Sequence, residues 1–238
     1  MRKPVIFMGR NTRGMAVFII LMLMLGTIFS VLWQGSIVVI SQLNTLHIVV
    51  IDAGHGGYDP GAITAQGLYE KEINLQMAKR VGELLKPSGI QVFLTREEDI
   101  DYVPEGTRGR KTKKQADLNY RIDLAKQANA DALISLHLNA TVTGQNSGAE
   151  TFFQTQSEEG RKLAESIQQE LIKVPGMNRR IAKPGDFYII KNTPMPAVIV
   201  ELGYISNPKE RIKLQQAWYQ DQLARSVAKG IARYFDLP

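Results

Sequence analysis

The pattern of apolar and polar positions from residue 46 onward predicts short strands that alternate with amphipathic helices. Residues 46–51 are apolar except for His47, and residues 70–87 carry apolar side chains at spacings of three and four. Strands are predicted at residues 46–51, 90–95, 132–136, 149–154, 187–191 and 197–200, and helices at residues 70–87, 118–129, 157–172, 208–215 and 218–235. This alternation is typical of a single three-layer α/β domain, with a mostly parallel mixed sheet flanked by helices.

The N-terminal part of the chain has a different pattern. Residues 16–33 form an 18-residue run without a charged side chain, and four basic residues but no acidic one precede it. As a helix this run would be about 27 Å long, close to the hydrocarbon thickness of a bilayer. We predict a basic cytoplasmic flank at residues 1–14, a transmembrane anchor at 15–33, a linker at 34–46 and an extracytoplasmic domain at 47–238. A cleaved signal peptide, which would make the domain a secreted one, is the alternative for the apolar run.

The charge of the chain gives little support for a nucleic-acid partner. The formal net charge is +6, from 29 basic and 23 acidic residues. Four of the basic residues belong to the N-terminal flank, so the remaining body is nearly neutral and lacks a nucleic-acid footprint. The absence of cysteine excludes thiolate metal ligands and a cysteine nucleophile.

Candidate chemistry lies where the predicted strands end. His55 and His137 each follow an apolar run, and Glu201 ends another. In an open α/β sheet, ligands bind beyond the carboxyl ends of the strands, so these side chains are expected at one edge. Two imidazoles, one carboxylate and an open position make a hydrolytic zinc site, and a glutamate near the metal supplies the base. The carboxylate that binds the metal would come from the start of the first helix, where Glu70 and Glu72 both lie.

Each of these residues also has a purely structural explanation. A single histidine after a strand is more often a hydrogen-bonded structural residue than a ligand. A carboxylate at the start of a helix is favoured by the helix dipole, and spacing does not separate Glu70 from Glu72. Glu201 is the least easily explained in this way, because a carboxylate on a buried strand is costly unless it is paired or bound to a metal.

Other features receive secondary interpretations. Asp52 is a candidate acceptor that orients a neighbouring group, and Glu150 is a reserve carboxylate. His47 begins the first strand, at the end opposite the site, and receives no role. Residues 102–115 are rich in Lys, Arg and Gly, which predicts a solvated loop. The alternative is a rim of the site that binds an anionic polymer or headgroup. Residues 178–185 predict a second polar loop beside the cleft.

Several motifs together carry a resemblance to a known family. They are the Asp-x-Gly-His-Gly-Gly-x-Asp-Pro-Gly-Ala stretch at residues 52–62, Glu70-Lys71, Thr95-Arg96, Ser135-x-His137-x-Asn139-Ala140, and Glu201-Leu202-Gly203-Tyr204-Ile205-Ser206-Asn207. Over about residues 47–236 the chain resembles the zinc-dependent N-acetylmuramoyl-L-alanine amidases of bacterial cell-wall turnover. The resemblance implies that His55, Glu70 and His137 are the zinc ligands and that Glu201 is the catalytic glutamate. The family often has Pro at the position of Ala53 and Phe at that of Tyr204, and neither position is a ligand.

The resemblance also implies a substrate and a pathway. The bond cleaved would be the amide between the lactyl group of N-acetylmuramic acid and L-alanine in peptidoglycan. An N-terminal apolar segment followed by a minimal catalytic domain is similar to the germination-specific amidases of endospore formers, which act on the spore cortex. There a deacetylase acts in the same pathway, and muramic δ-lactam then forms. The alternatives are another zinc hydrolase, such as an exopeptidase or a sugar deacetylase, and a non-catalytic wall-binding module.

Overall fold

The computed structural model describes residues 18, 20–30 and 46–237, and the chain divides into two compact units, residues 1–46 and 47–238. Residues 18 and 20–30 are helical. Among the described residues, no helix is both long enough and apolar enough to cross a membrane. The predicted flank and most of the predicted linker lie outside the described residues, and the predicted anchor is described only in part. These N-terminal assignments therefore stay predictions.

The second unit is built on a six-stranded mixed sheet. Its strands are β1 (Ile48–Ala53), β2 (Gln91–Leu94), β3 (Ala132–Asn139), β4 (Glu150–Phe153), β5 (Lys183–Pro184) and β6 (Ala197–Tyr204), in the order β2-β1-β3-β6-β4-β5. The helices are α1 (Glu70–Leu85), α2 (Arg110–Gln127), α3 (Glu158–Leu171), α4 (Tyr188–Lys191), α5 (Pro208–Leu214) and α6 (Ala217–Tyr234), and a 3-10 turn covers Lys86–Ser88. The first four strands in the sheet are parallel, β4 is antiparallel to β6, and β5 is parallel to β4. The predicted α/β architecture is confirmed.

Alternating side chains of the strands bury the two faces of the sheet in separate cores. On β3, Ile134 and Leu136 pack with α1, α3 and α6, whereas Leu133 packs with α2 and α4 on the other face. Because successive residues of a strand point to opposite faces, helices are needed on both sides to cover a central strand. Polar side chains meet at the edge of the sheet that is formed by the carboxyl ends of the parallel strands.

Two predicted elements are wrong. Helix α2 begins at Arg110, inside the predicted loop 102–115 and well before the predicted start of the helix at residue 118. Gly109, at φ 84°, precedes it, and the basic residues that follow are good helix formers but give no apolar signal. Residues 187–191, predicted as a strand, contain helix α4. A short apolar run does not distinguish a buried strand from a helical turn by periodicity.

Strands β3 and β6 extend further than predicted, and this matters for the site. The predicted ends were residues 136 and 200, whereas the strands reach Asn139 and Tyr204. His137 and Glu201 therefore lie within the hydrogen-bonded parts of β3 and β6 rather than beyond the ends of these strands. The two residues are direct partners in the β3–β6 register. Their backbones are fixed by the sheet, which gives their side chains a rigid support.

Candidate metal centre

Three side chains from distant parts of the chain meet at the carboxyl edge of the sheet. His55 follows β1, Glu70 begins α1 and His137 lies on β3, and their ligand-type atoms all fall within 4.8 Å of one another. The Glu70 Oε1 atom is 3.3 Å from His55 Nε2 and 3.0 Å from His137 Nδ1. Two imidazole nitrogens and one carboxylate oxygen that face a common point could hold a divalent metal ion, and this donor set is the one found in hydrolytic zinc sites.

The orientation of the His55 ring is set by a second carboxylate. The Oδ2 atom of Asp59 lies 2.8 Å from His55 Nδ1, which leaves Nε2 directed at Glu70. Such a carboxylate behind a histidine ligand fixes its tautomer and ring position. Burial alone would lower the pKa of His55, but the hydrogen bonds to Asp59 and Glu70 raise it to about 9. In the sequence Asp59 belongs to the motif at residues 52–62, and its position four residues after His55 in a glycine-rich turn is the only local signal of this contact.

Glu70 is held firmly, and its neighbour Glu72 is not part of the cluster. Glu70 is buried, whereas Glu72 is exposed. The Oε1 atom of Glu70 accepts hydrogen bonds from the Leu138 amide at 3.0 Å and from Asn74 Nδ2 at 3.2 Å, and Oε2 accepts one from the Ala62 amide at 2.9 Å. Burial would raise the pKa of this carboxyl, but the two histidines hold it well below its usual range. Glu70, and not Glu72, therefore lies with the two histidines.

The turn after β1 allows the close approach of the two histidines. A Cβ atom at Gly54 would lie 2.2 Å from Nε2 of His137, so any side chain there would overlap the ring. The next residue, His55, has φ 64°, in the left-handed region that L-residues seldom adopt. The glycine is therefore required by space, and the strained backbone at His55 must be held by its surroundings.

Two buried arginines supply that support. Arg96 Nε donates to the carbonyl oxygens of Ala53 at 2.9 Å and His55 at 2.8 Å, and Arg121 donates to the same two carbonyls at 2.8 and 2.7 Å. Both side chains are about 1% exposed. Arg96 was noticed in sequence only as part of a motif, and Arg121 was missed, because a basic residue on a polar helix gives no sign of burial.

Asp52 links this arginine pair to the strands. Its carboxylate accepts hydrogen bonds from Arg121 Nη1 at 2.7 Å, Thr95 Oγ1 at 2.7 Å and Ser135 Oγ at 2.5 Å. Burial would raise its pKa, but the Arg121 guanidinium and the hydroxyl donors lower it to about 2. Asp52 therefore orients Arg121, which in turn holds the His55 backbone, and it acts on the site through these contacts.

Glu201 lies beside the cluster; its side chain is partly buried, and its Oε2 atom is inaccessible to solvent. It is the register partner of His137 on β3, and burial raises its pKa to about 7. Within the described part of the chain, its Oε2 atom has no hydrogen-bond partner. Buried polar atoms are almost always paired, so an unpaired carboxylate oxygen next to ligand-type histidines indicates a group kept free to exchange a proton.

Glu150, the reserve carboxylate, and His47, which received no role, are not among the three ligand-type side chains. Glu150 is buried on β4 and forms ion pairs with Arg180 and Lys183. His47 stacks on Phe235, with ring centroids 4.1 Å apart, just before β1 and at the other end of that strand from His55.

The second unit of the chain is similar to known proteins over almost its whole length. Residues 49–233 match the family model described as N-acetylmuramoyl-L-alanine amidase. The chain is 39% identical over 189 residues to the germination-specific N-acetylmuramoyl-L-alanine amidase of Bacillus subtilis (strain 168), with 79% of each protein covered. It is 36% identical to the CwlD amidase of Clostridioides difficile, solved in complex with the GerS lipoprotein, with a TM-score of 0.76 over 80% of this chain and 98% of that one. The catalytic domain of CwlV from Bacillus (Paenibacillus) polymyxa var. colistinus is 32% identical, with a TM-score of 0.71 over 81% and 99% of the two chains.

Proposed function

Because this chain belongs to the N-acetylmuramoyl-L-alanine amidase family, we propose that His55, Glu70 and His137 bind zinc and that Glu201 is the catalytic acid and base. The bond cleaved is the amide between the lactyl group of N-acetylmuramic acid and L-alanine in peptidoglycan. The observation that carries the proposal is the meeting of the three ligand-type side chains within 4.8 Å, next to a glutamate whose Oε2 atom is unpaired within the described chain.

The residues divide the chemistry between them. Zinc held by His55, Glu70 and His137 would supply a Lewis acid for the scissile carbonyl and would lower the pKa of bound water. Glu201 accepts the proton of the attacking water and delivers it to the departing nitrogen of L-alanine. Burial raises the pKa of Glu201 above that of an exposed glutamate, which helps the group to take up a proton. Asp59 keeps the His55 ring in place throughout.

We further propose a spore-cortex role in the extracytoplasmic space. The relative from Bacillus subtilis, named a germination-specific amidase, matches 79% of this chain and 79% of its own length, so it supports a shared substrate. The N-terminal apolar segment would serve as a membrane anchor or a signal peptide. A deacetylase would then act on the denuded muramic acid in the same pathway.

The test is digestion of purified cortex peptidoglycan followed by mass spectrometry of the newly formed amines. The zinc-loaded protein should release peptides with a new L-alanine N-terminus. Glu201→Gln should keep one zinc ion and lose nearly all turnover, whereas Glu72→Gln, which changes an exposed carboxylate on α1, should behave as the unchanged protein.

Other outcomes would contradict the proposal in distinct ways. Acetate release would identify a sugar deacetylase, and free amino acids from the peptide end would identify an exopeptidase. Binding without any product would identify a wall-binding module. Unchanged turnover by Glu201→Gln would remove Glu201 from its role.

A further inference from the structure

The row of acidic and imidazole side chains at the site continues across the sheet beyond the metal centre. His137 on β3 is the register partner of Glu201 on β6, and Glu201 is the antiparallel partner of Glu150 on β4. Register partners project from the same face of a sheet, and neighbouring strands are about 4.8 Å apart. On this face of the sheet, a row of side chains therefore runs from His137 past Glu201 to Glu150.

Two cations stand at the far end of this row. Arg180 and Lys183 both form ion pairs with Glu150 Oε1, the lysine ammonium at 3.3 Å and the guanidinium in closer contact. The side chain of Glu150 is 4% exposed, whereas those of Arg180 and Lys183 are 29% and 48% exposed. Solvent, and therefore a ligand, reaches the cations but not the carboxylate between them.

One of the two positive charges is in excess. A single cation neutralises a buried carboxylate, so this cluster of three groups keeps a net charge of about +1. Both cations are positioned by further contacts: Arg180 lies over the Tyr204 ring at 5.5 Å, and Lys183 lies over the Phe152 ring at 5.0 Å. Cations that pack on aromatic rings are held in position, and because they remain partly exposed they can bind an anion.

We propose that Arg180 and Lys183 form a subsite for a carboxylate on the peptide side of the substrate. This inference rests on the proposed function, because it assumes that the peptide leaves from the Glu201 side of the cleft. Two strand separations, about 10 Å, lie between β6, which carries Glu201, and β5, which begins at Lys183. An extended peptide advances about 3.3 Å per residue, so a carboxylate two or three residues beyond the scissile amide reaches the cations.

The experiment compares two matched muropeptides whose stem ends in a free carboxylate or in a carboxamide at the third residue. The zinc-loaded protein should cleave both and prefer the carboxylate form. Lys183→Gln should lower kcat/KM for the carboxylate form about tenfold, because one charge-assisted hydrogen bond is lost. The same substitution should change kcat/KM for the carboxamide form less than about twofold. The loss should appear mainly in KM, and Lys183→Arg should restore the preference.

The matched control is Lys162→Gln, which removes an exposed lysine that pairs with Glu159 on α3. This substitution should leave kcat/KM for both muropeptides unchanged. Equal losses for the two muropeptides in Lys183→Gln, or no preference in the unchanged protein, would overturn the subsite and leave the amidase proposal intact. Cleavage of neither muropeptide by the unchanged protein would instead contradict the proposed function.

Discussion

Gly54→Ala is the smallest change that should disable the metal centre without unfolding the domain. The added methyl group would lie 2.2 Å from Nε2 of His137, and the next ring atoms are 2.3 and 2.7 Å away. All three nearest atoms belong to that one side chain, so the overlap falls on a proposed ligand and not on the backbone or the core.

The required movement can be estimated from these distances. Ordinary contact with a Cβ atom begins at about 3.4 Å, so the His137 ring must retreat by about 1.2 Å. The Nδ1 atom of the same ring lies 3.0 Å from Glu70 Oε1, so the retreat disturbs a second proposed ligand. Metal–ligand distances tolerate only about 0.2 Å, and loss of an outer partner alone costs about 10–100-fold in affinity. We therefore expect zinc affinity to fall at least about 100-fold.

The assay is competition for zinc between the metal-free protein and a chromophoric chelator, with circular dichroism to verify folding. Gly82→Ala is the matched control, because a Cβ atom there would meet Leu94 and Val92 at 3.5 Å, which is ordinary contact. Gly82 lies inside α1, so this variant should bind zinc normally and gain up to about 1 kcal/mol in the free energy of unfolding.

A folded Gly54→Ala protein with zinc affinity within about threefold of the unchanged protein would refute the reasoning. It would mean that the His137 ring is not confined between residue 54 and Glu70, and so is not a fixed ligand.

Further predictions concern the carboxylates and the buried ion pairs. Glu70→Gln should lose zinc in elemental analysis while Glu72→Gln retains it, and equal retention would contradict the choice of ligand. Arg121→Met should lower the free energy of unfolding in urea by about 3–5 kcal/mol, because it leaves Asp52 charged and buried without its cation; a loss below about 1 kcal/mol would contradict this. The pKa of Asp52 is about 2 in the folded state against an ordinary value of 3.8, so its contribution of about 2 kcal/mol is present above pH 4 and is lost as the pH falls toward 2. Asp52→Asn should flatten the dependence of unfolding free energy on pH in that window, and an unchanged slope would contradict the assignment.

The sequence predicted the meeting place of the site because the relevant strands carry strong local signals. β1, β3 and β6 are nearly continuous runs of buried apolar residues, and parallel strands place their carboxyl ends together. His55, His137 and Glu201 could be placed at one edge for this reason. Glu70 could not be separated from Glu72, since the difference between them is burial against the other strands.

The supporting residues were not predictable in the same way. Arg121 reaches Asp52 across 69 positions of sequence and His55 across 66. Neither the composition of α2 nor its weak apolar periodicity shows that this one cation is buried among exposed ones. Likewise the pairing of Glu150 with Arg180 depends on where β4 and the segment before β5 meet, which only the tertiary structure fixes.

The start of α2 illustrates a limit of hydrophobic patterning. Only Asp117, Arg121, Ile122 and Ala125 are buried in this 18-residue helix, and the first of them follows six polar residues and Ala116. A helix that is stabilised by charged, good helix-forming residues in its first turns resembles a solvated loop in sequence. The prediction therefore placed its start where the apolar positions begin.

The dependence of peptide release on zinc can be measured by titrating metal-free protein with zinc during digestion of cortex peptidoglycan and counting new L-alanine N-termini by mass spectrometry. Release of these termini should rise in proportion to added zinc and saturate at one equivalent per chain. Release that is independent of zinc, or products that lack an L-alanine N-terminus, would contradict the proposed function.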